Sequence, residues 1–465
     1  MDSNNLDLFS TLTSSLLVLI VSYLPFKEAV RTSILSKRWR NIWRETKSIE
    51  FHEKFFVDLE ETEEKQRIQR SSLFDFARNF VASYPQGDIR KFAMACSKPE
   101  GFLTDIQNFI IFAVSRNVRE LELEFSDPRW NEDDDDENHP AVVELPYQVF
   151  LNEGLESLKF FSCKFDVSRL RNFKILKGVS FGWIEISMVS IKFLMLCCPL
   201  IETLSLKKCR TMHHLDICIP NLRLKNLVLD KCSFIRDFFW IGGPKLRFFK
   251  YSGKVGDFHL YNQRRMVEAD LDFGMVPEFA EFGSLLYDFL QEFYAVKVLT
   301  VCSVLLQLIP REEEPFSLRF PLNVRHLILK TAMHSFEFYG MSFMFTSCPK
   351  LKILTFDIGP AKIFPDYEPP FDLNPQEVWT NNLWAIPQCF DRSLEVVNVK
   401  GFRGTLDELR VLRYIINFGR KLKKLNLFLS EEEEDNGQNS ENCVQKVRHI
   451  VQSRSPSLNL QVFVF

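Results

Sequence analysis

Apolar residues recur along most of the chain in one six-residue pattern, L-x-x-L-x-L, in which other apolar residues can replace leucine. Alternation at the fourth and sixth positions is typical of a short strand with one buried face. A poorer copy, "MVEADLDF" near Val267, fills a gap in the series. The clear copies begin at Val118, Leu155, Leu176, Ile201, Leu224, Leu246, Val296, Val324, Leu351, Leu394 and Leu422.

The spacing of the copies is as informative as their content. From Leu155 to Leu246, successive copies start 21, 25, 23 and 22 residues apart, which is the range of leucine-rich repeats. One such unit cannot bury its own apolar face, and stacking a dozen of them makes a continuous core. The sequence therefore predicts an α/β fold, an irregular and curved leucine-rich-repeat solenoid with parallel strands on its concave face.

Three copies continue with a cysteine at the position where these repeats carry Asn or Cys. These residues are Cys163, Cys209 and Cys232. We expect them to be small, buried turn residues rather than reactive thiols.

The N-terminal stretch 16–24 is dense in apolar residues and ends at Pro25. It is shorter than the ~20 residues that cross a bilayer, and it follows Asp residues rather than Lys or Arg, so neither an anchor nor a secretory signal is expected. We predict a helix over about Leu16–Tyr23, capped by Ser14 and Ser15. Because this helix is apolar nearly all round, we expect the protein to cover one side and another chain to cover the other.

The segment "LTSSLLVLIVSYLPFKEAVRTSILSKRWRNIW" resembles the F-box of plant F-box proteins. Its second half, from "VRTSILSKRWR", is similar to the family pattern almost letter for letter. In that family the module docks on the Skp-type adaptor of an SCF ubiquitin ligase, and through it joins the cullin and RING subunits. The resemblance implies adaptor contacts at Leu12, Leu16, Leu17, Ile20, Leu24, Pro25 and Val30.

Two positions depart from the family pattern. Thr13 replaces the proline of a Leu-Pro pair, and Val18 and Leu19 replace a pair that is usually polar. The first departure leaves two functions open. One is a substrate receptor that holds a target protein near the ligase. The other is a leucine-rich-repeat scaffold with a degenerate F-box and no ligase role.

The C-terminal part carries a second resemblance. Residues 386–429 resemble the FBD segment that closes many plant F-box/LRR proteins, and "CPLIETLSLKKC" resembles their Cys-Pro-x-Leu-Glu-x-Leu repeat. We read this segment as two further repeat strands with a helix between them. The expected division is an F-box-like helical module at 1–50, a helical connector and N-terminal cap at 51–115, leucine-rich repeats at 116–385, FBD-like terminal repeats at 386–430, an acidic loop at 431–442, and a C-terminal helix and strand at 443–465.

Composition indicates which partners and which cellular compartment to expect. The chain has a formal net charge of −3, which gives no reason to expect nucleic-acid or membrane binding. Eleven cysteines without a C-x-x-C pair, and no N-x-Ser/Thr acceptor, favour the reducing cytoplasm or nucleus. The basic cluster "SKRWR" is open to a nucleic-acid or nuclear-signal interpretation. We prefer a surface turn in which Trp39 and Trp43 pack on the helices.

Motifs for catalysis do not occur in the sequence, and we expect no catalytic residue, metal or cofactor. The cluster Cys209, His213, His214 and Cys218 has ligand types suited to zinc. A zinc site is not expected there, because adjacent histidines on a strand point to opposite faces. The resemblance places any ubiquitin chemistry on the partner subunits. The two acidic runs, which start at Asn131 and Glu431, predict solvated loops.

The template also indicates where a target protein would bind. Its third, fifth and seventh residues point away from the core and line the exposed strand face. The mixed charge of that face favours a protein partner, whose identity the sequence does not give. The candidate target-binding residues are Glu122, Lys159, Phe161, Lys207, Asp230, Lys330 and Lys424.

Overall fold

The fold is described from a computed structural model. The residues it describes are 8–131, 139–164, 166, 169, 173–210, 212–219, 222–261, 263–275, 282–308, 317–365, 375–379, 386–430, 437–452 and 460–465. The chain divides into two compact units, residues 1–212 and 213–465. Most of the first acidic run and the first half of the second lie outside the described residues.

The first unit opens with short helices. These are α1 (Leu8–Thr11), α2 (Ser14–Val21) and α3 (Phe26–Arg31), followed by 3-10 turns at Thr32–Ile34 and Trp39–Glu45. Pro25 separates α2 from α3, as proline favours an extended or first-turn position. The predicted helix is confirmed, but its cap is Thr13, whose hydroxyl accepts the Leu16 amide, rather than Ser14 or Ser15.

Six parallel strands form the main sheet of the first unit, in chain order. They are β1 (Ser48–His52), β2 (Lys91–Ala95), β3 (Glu120–Glu124), β5 (Ser157–Phe161), β7 (Gly178–Gly182) and β8 (Thr203–Lys207). A small parallel pair, β4 (Val143–Glu144) and β6 (Cys163–Lys164), lies outside this sheet. The intervening helices are α4 (Glu63–Ser83), α5 (Leu103–Val114) and α6 (Met188–Cys197).

The repeat series starts earlier than residue 116. The segment 51–115 contains helices α4 and α5, as expected for a connector, but β1 and β2 already belong to the parallel sheet. The template is in fact present around β2, since Ile89, Phe92 and Met94 occupy its first, fourth and sixth positions and are buried. The segment 51–115 is therefore part of the repeat stack.

The second unit continues the same design. Its main parallel sheet contains β10 (Asn226–Asp230), β12 (Phe248–Gly253), β14 (Glu268–Phe273), β15 (Val298–Val301), β16 (His326–Thr331), β17 (Ile353–Ile358), β18 (Val396–Phe402), β19 (Lys424–Leu429) and β20 (Gln461–Val464). A second parallel sheet contains β9 (Leu215–Cys218), β11 (Phe238–Gly242) and β13 (Asp257–Tyr261). The helices are α7 (Phe282–Gln291), α8 (Ser303–Gln307), α9 (Phe338–Ser347), α10 (Gln388–Arg392), α11 (Leu406–Phe418) and α12 (Gly437–Gln452).

All twelve template copies coincide with strands of the two main sheets, and each of these strands begins within two residues of the template's third position. The FBD-like segment holds β18 and β19 with α11 between them, as predicted. The C-terminal helix starts at Gly437 rather than at residue 443, and β20 supplies the expected last strand.

Side-chain burial follows the template. In β3 and β5 the in-register pairs Leu121–Leu158 and Leu123–Phe160 are almost completely buried. Each such side chain contributes about 1.5–3 kcal/mol when it leaves water. The core therefore runs as rows of apolar side chains, each row perpendicular to the strands.

The turn after several strands is shared as well. Ser162, Lys208 and Lys231 take positive φ values of 49–53°, and each precedes one of the predicted turn cysteines. Cys163 and Cys209 are buried with their sulfur atoms 3.5–3.7 Å from strand carbonyl oxygens. The expected structural role of these two cysteines is confirmed, whereas Cys232 is only partly buried.

A buried ion pair joins the 3-10 turn after β1, Glu53–Phe55, to α4 and to the loop after β2. The Glu53 carboxylate lies 2.7 Å from the Arg70 guanidinium, and both side chains are less than 10% exposed. Ser97 donates to the same carboxylate from its hydroxyl and from its amide. Such a pair stabilises the fold only while both partners are present.

We expect Arg70→Met to lower the free energy of unfolding by about 3–5 kcal/mol, because it leaves the Glu53 charge buried without its partner. Urea denaturation measures the change. The matched control is Lys65→Met in the same helix, which breaks an exposed pair with Glu61 and should cost less than about 1 kcal/mol. Equal losses in the two variants would contradict the structural role of the buried pair.

Candidate functional site

An exposed apolar surface lies on the N-terminal helices. We call it the outer apolar face, and define it by Leu16, Leu19, Ile20, Tyr23 and Leu24. These side chains are between 36% and 82% exposed, although they belong to the most apolar stretch of the chain. Contiguous apolar surface of this kind is typical of a protein-binding site.

The opposite side of α2 is anchored in the body of the first unit. Leu17 and Val21 are fully buried. Close by, the rings of Phe26, Trp43 and Phe80 pack against one another with centroids 5.5–6.0 Å apart. Since Phe80 belongs to α4, the helices are fixed to the repeat stack by an aromatic cluster. The predicted packing of Trp43 on the helices is confirmed.

Two polar contacts hold the start of α2. The Thr13 hydroxyl accepts the Leu16 amide at 3.4 Å, which is the usual geometry of an N-cap. The guanidinium of Arg38 donates to the carbonyl oxygens of Phe9 and Leu12. Trp39 meets Phe9 edge to face at 6.0 Å. The basic cluster therefore has a structural use that its sequence alone does not indicate.

The sequence-derived adaptor residues fall into three groups. Leu16, Ile20, Leu24 and Pro25 are exposed, and Leu12 and Val30 are half-buried. Leu17 is fully buried, so we place it in the core of the protein rather than on a binding surface. Leu19 and Tyr23 were not among the expected contacts. The apolar residue at position 19, where the family pattern is usually polar, is the sequence feature that could have identified them.

The strand face of the first unit is a ladder of alternating charges. Lys91 on β2 lies 3.5 Å from Glu50 on β1 and 3.1 Å from Glu122 on β3. Burial opposes its charge, yet the two carboxylates raise the pKa of Lys91 overall. Lys159 on β5 continues the ladder with a 2.7 Å contact to Glu124.

The strand face of the second unit is more neutral. Thr355, Asn398 and Asn426 occupy the same row of β17, β18 and β19 and are linked by side-chain hydrogen bonds of 3.1 and 2.8 Å. His326 on β16 joins Thr355 at 2.9 Å. Lys330 reaches across β15 to Asp270 at 2.9 Å, and this carboxylate raises the pKa of Lys330 against the effect of burial.

The candidate target-binding residues all lie on β-strands of the main sheets. Within the first unit these are Glu122, Lys159, Phe161 and Lys207, and within the second they are Asp230, Lys330 and Lys424. Lys424 is exposed, while Phe161 is buried beneath the Lys159 ammonium at 4.9 Å. The other five are half-exposed.

Features that suggest other chemistry are sparse in the part of the chain that the structure describes. No cluster of three or more His, Cys, Asp or Glu residues there is arranged to hold a metal ion. In the same residues, none of the helices is both long and apolar enough to cross a bilayer.

Family models match three parts of the chain. Residues 9–50 match the F-box domain, residues 108–249 match the model described as "FBD-associated F-box protein At5g56370, LRR repeats", and residues 385–427 match FBD. These matches cover the N-terminal helices, the strands from β3 to the start of β12, and β18 with the first part of β19.

Similarity to individual proteins extends over nearly the whole chain. F-box protein At3g62230 of Arabidopsis thaliana is 36% identical over 433 residues, which is 92% of each chain. Putative F-box/LRR-repeat protein At1g56400 from the same plant is 34% identical over 426 residues, 89% of this chain and 87% of that one. Putative F-box protein At3g29830, also from Arabidopsis, is 34% identical over 92% of this chain and 93% of its own length.

The stability of the fold should depend on pH through His326 on the strand face of the second unit. Burial, assisted by the positive charge of Lys400, lowers the pKa of His326. The stability that depends on a neutral His326 is therefore complete above the unfolded-state pKa of about 6.5, and it is lost as the pH falls from there through the lower pKa of the folded protein. We expect His326→Gln, which can still bond to Thr355, to lose less melting temperature than the wild type between about pH 7.5 and about pH 5.5.

Thermal melts followed by circular dichroism at several pH values provide the measurement. The control is His449→Gln, at an exposed position of α12, which should follow the wild-type curve. Parallel pH curves for the wild type and His326→Gln would contradict the assigned direction.

Proposed function

The chain belongs to the plant F-box proteins that carry leucine-rich repeats and an FBD segment, and on that premise we propose that it is a substrate-receptor subunit of an SCF-type cullin–RING ubiquitin ligase. The F-box would bind the Skp-type adaptor, and through it the cullin and RING subunits. The strand face would bind a target protein. The ligase would gain by holding target lysines near the charged conjugating enzyme at high effective concentration.

The outer apolar face is the observation that carries this proposal. It is presented by helices whose inner side is already anchored by Leu17, Val21 and an aromatic cluster, so its exposure is not needed for folding. Leu16, Ile20 and Leu24 would bury their side chains against the adaptor. Pro25, Leu12 and Val30 would contribute at the margin of the contact.

Three deeply buried cysteines are unsuited to carrying ubiquitin. A thiol that carries ubiquitin must form a thiolate near neutral pH. Burial instead raises the pKa of Cys302 to about 11 and those of Cys96 and Cys389 to about 12. We therefore propose that transfer occurs on the partner subunits, and that this chain supplies no catalytic group.

None of the ten described cysteines forms a disulfide, which fits a reducing compartment, the cytoplasm or the nucleus. A membrane or nucleic-acid partner is not part of the proposal. On the first unit a target would meet a charged strand face, with Glu122, Lys159 and Lys207 as candidate contacts and Phe161 as a support below Lys159. On the second unit the candidate contacts are Asp230, Lys330 and Lys424.

The alternative is a repeat scaffold with no ligase role. Thr13 favours it, because the family has proline at this position. Thr13 has φ −69° and ψ 156°, which suits proline, and its amide donates no backbone hydrogen bond to any described residue. The backbone therefore already has the conformation that the family's proline would impose.

Leu16→Asp and Leu24→Asp should each weaken binding to a purified Skp-type adaptor at least about tenfold, because each puts a charge into an apolar contact. Isothermal titration and co-purification measure the effect. Val189→Asp is the matched control, since Val189 is 79% exposed on α6 and should leave binding unchanged. Circular dichroism checks that all three variants fold. Failure of the wild type to bind, or unchanged binding in both F-box variants, overturns the receptor proposal.

Thr13→Pro separates the two functions. The receptor proposal predicts that the wild type already binds the adaptor, with an affinity within about tenfold of the proline variant. The substitution removes only the Thr13 cap hydrogen bond and exchanges one exposed side chain. The same titration measures both proteins. Adaptor binding that appears only in Thr13→Pro would favour the scaffold.

A further inference from the structure

The second sheet of the second unit has two very different faces. Its inner face is apolar and buried, as Leu215, Phe239, Ile241 and Phe258 show. Its outer face carries aromatic and acidic residues, whereas a solvent-exposed sheet face usually carries mostly polar ones. We call this outer surface the Trp240 face, and define it by Asp216, Phe238, Trp240, Asp257, His259 and Tyr261.

Strand register brings these six residues together. In the central row, Trp240 on β11 lies between Asp216 on β9 and His259 on β13. Phe238 is paired with Asp257 in the row before. All of these side chains point to the same side, because paired residues of neighbouring strands share a face.

The aromatic rings are aligned on this surface. The Trp240 ring is nearly parallel to those of Phe238 and His259, at 11° and 14°, with centroids 6.2 and 6.3 Å away. Phe238 is 43% exposed and Tyr261 is 50% exposed. Trp240 is partly exposed, and the buried side chains of this sheet come from its inner face.

Two of the six residues are carboxylates, and Asp216 accepts a hydrogen bond from the Cys218 amide at 3.1 Å. Asp216 lies beside Trp240, and Asp257 lies 3.3 Å from the His259 ring on the other side. Glu292, at the end of α7, adds a third carboxylate within electrostatic reach of His259. Lysine and arginine are absent from the six positions, and Arg236 lies beyond the Phe238 end.

We propose that the Trp240 face binds an arginine- or lysine-bearing segment of a partner protein, with a cationic side chain seated on Trp240 between the two carboxylates. A ring face flanked by carboxylates attracts a cation through its quadrupole and through charge. A nucleic acid would bring phosphates toward Asp216 and Asp257. A second copy of the chain would bring the same acidic set toward this one. The proposal is independent of the proposed ligase role.

A cysteine next to the Trp240 face can report whether a peptide is bound there. Cys218 lies at the end of β9, in the row next to Asp216 and Trp240, and its thiol is exposed. A bound peptide should therefore slow its alkylation. Cys197 lies in the first unit and provides an internal reference.

The test uses the full chain and a fluorescein-labelled decapeptide of alternating glycine and arginine at low salt. Anisotropy should show saturable binding that weakens at least about tenfold in the double variant Asp216→Asn/Asp257→Asn, and about fivefold or more in Trp240→Ala. Trp240→Phe should retain most of the affinity. Saturating peptide should slow alkylation of Cys218 by N-ethylmaleimide, followed by mass spectrometry, and leave Cys197 unchanged.

The control protein is Tyr294→Ala, which removes a part-exposed aromatic ring of the same unit outside the Trp240 face. A peptide of alternating glycine and glutamine controls for charge. The proposal is overturned if the arginine peptide fails to bind, if the double variant and Trp240→Ala bind like the wild type, or if Cys218 is not protected. Binding of cellohexaose or oligo-dT in place of the arginine peptide overturns it as well.

Discussion

Every repeat in this protein depends on its neighbours for the burial of its apolar side chains. A strand such as β5 presents Leu158 and Phe160 to the interior, and these are covered by Leu121 and Leu123 on one side and by Val179 and Phe181 on the other. The parallel register that permits this is repeated from β1 to β8 in the first unit. The positions that alternate with the buried ones are thereby left facing outward, which gives the strand face its regular rows.

The need of each repeat for a neighbour also explains how the F-box packs on the repeat stack. Phe51 of β1 contacts Phe26 of the F-box at 6.0 Å and Phe80 of α4 at 5.7 Å. The module therefore covers the start of the repeat stack with its inner side, and only the outer apolar face remains for a partner. A flexible linker between F-box and repeats is not what the contacts show. The first strand begins at Ser48, where the F-box match is ending.

The sequence predicted the strands better than the surfaces. The template located twelve strands because each carries three buried apolar residues at fixed spacing. With twelve repetitions the pattern is recognisable even where one copy fits poorly. It missed β1, where Thr46 takes the first position, and it assigned β2 to a connector although Ile89, Phe92 and Met94 fit. Apolarity alone did not tell Leu17 from Leu16, since both sit in one unbroken apolar run and only packing decides which one turns inward.

The Trp240 face was beyond sequence reasoning for a different reason. Its residues come from β9, β11 and β13, which are separated by roughly twenty residues each. The six-residue template fits β9 and β13 but was not recognised there, and in β11 Arg236 takes its first position. Only the register of a parallel sheet places Asp216, Trp240 and His259 in one row. His214, a residue of zinc-ligand type in the sequence, lies with its ring 5.5 Å from that of Trp240 and at 83° to it.

Because the F-box packs directly against β1, the number of repeats sets the distance between the F-box and any later strand of the first unit. Neighbouring strands in a sheet are about 4.8 Å apart. A residue on β8 therefore stands about 24 Å along the sheet from the same row of β1, five spacings away within the first unit. A relative that gained or lost one repeat between the two would keep the same chemistry in every row and would present it one step farther from, or nearer to, the F-box.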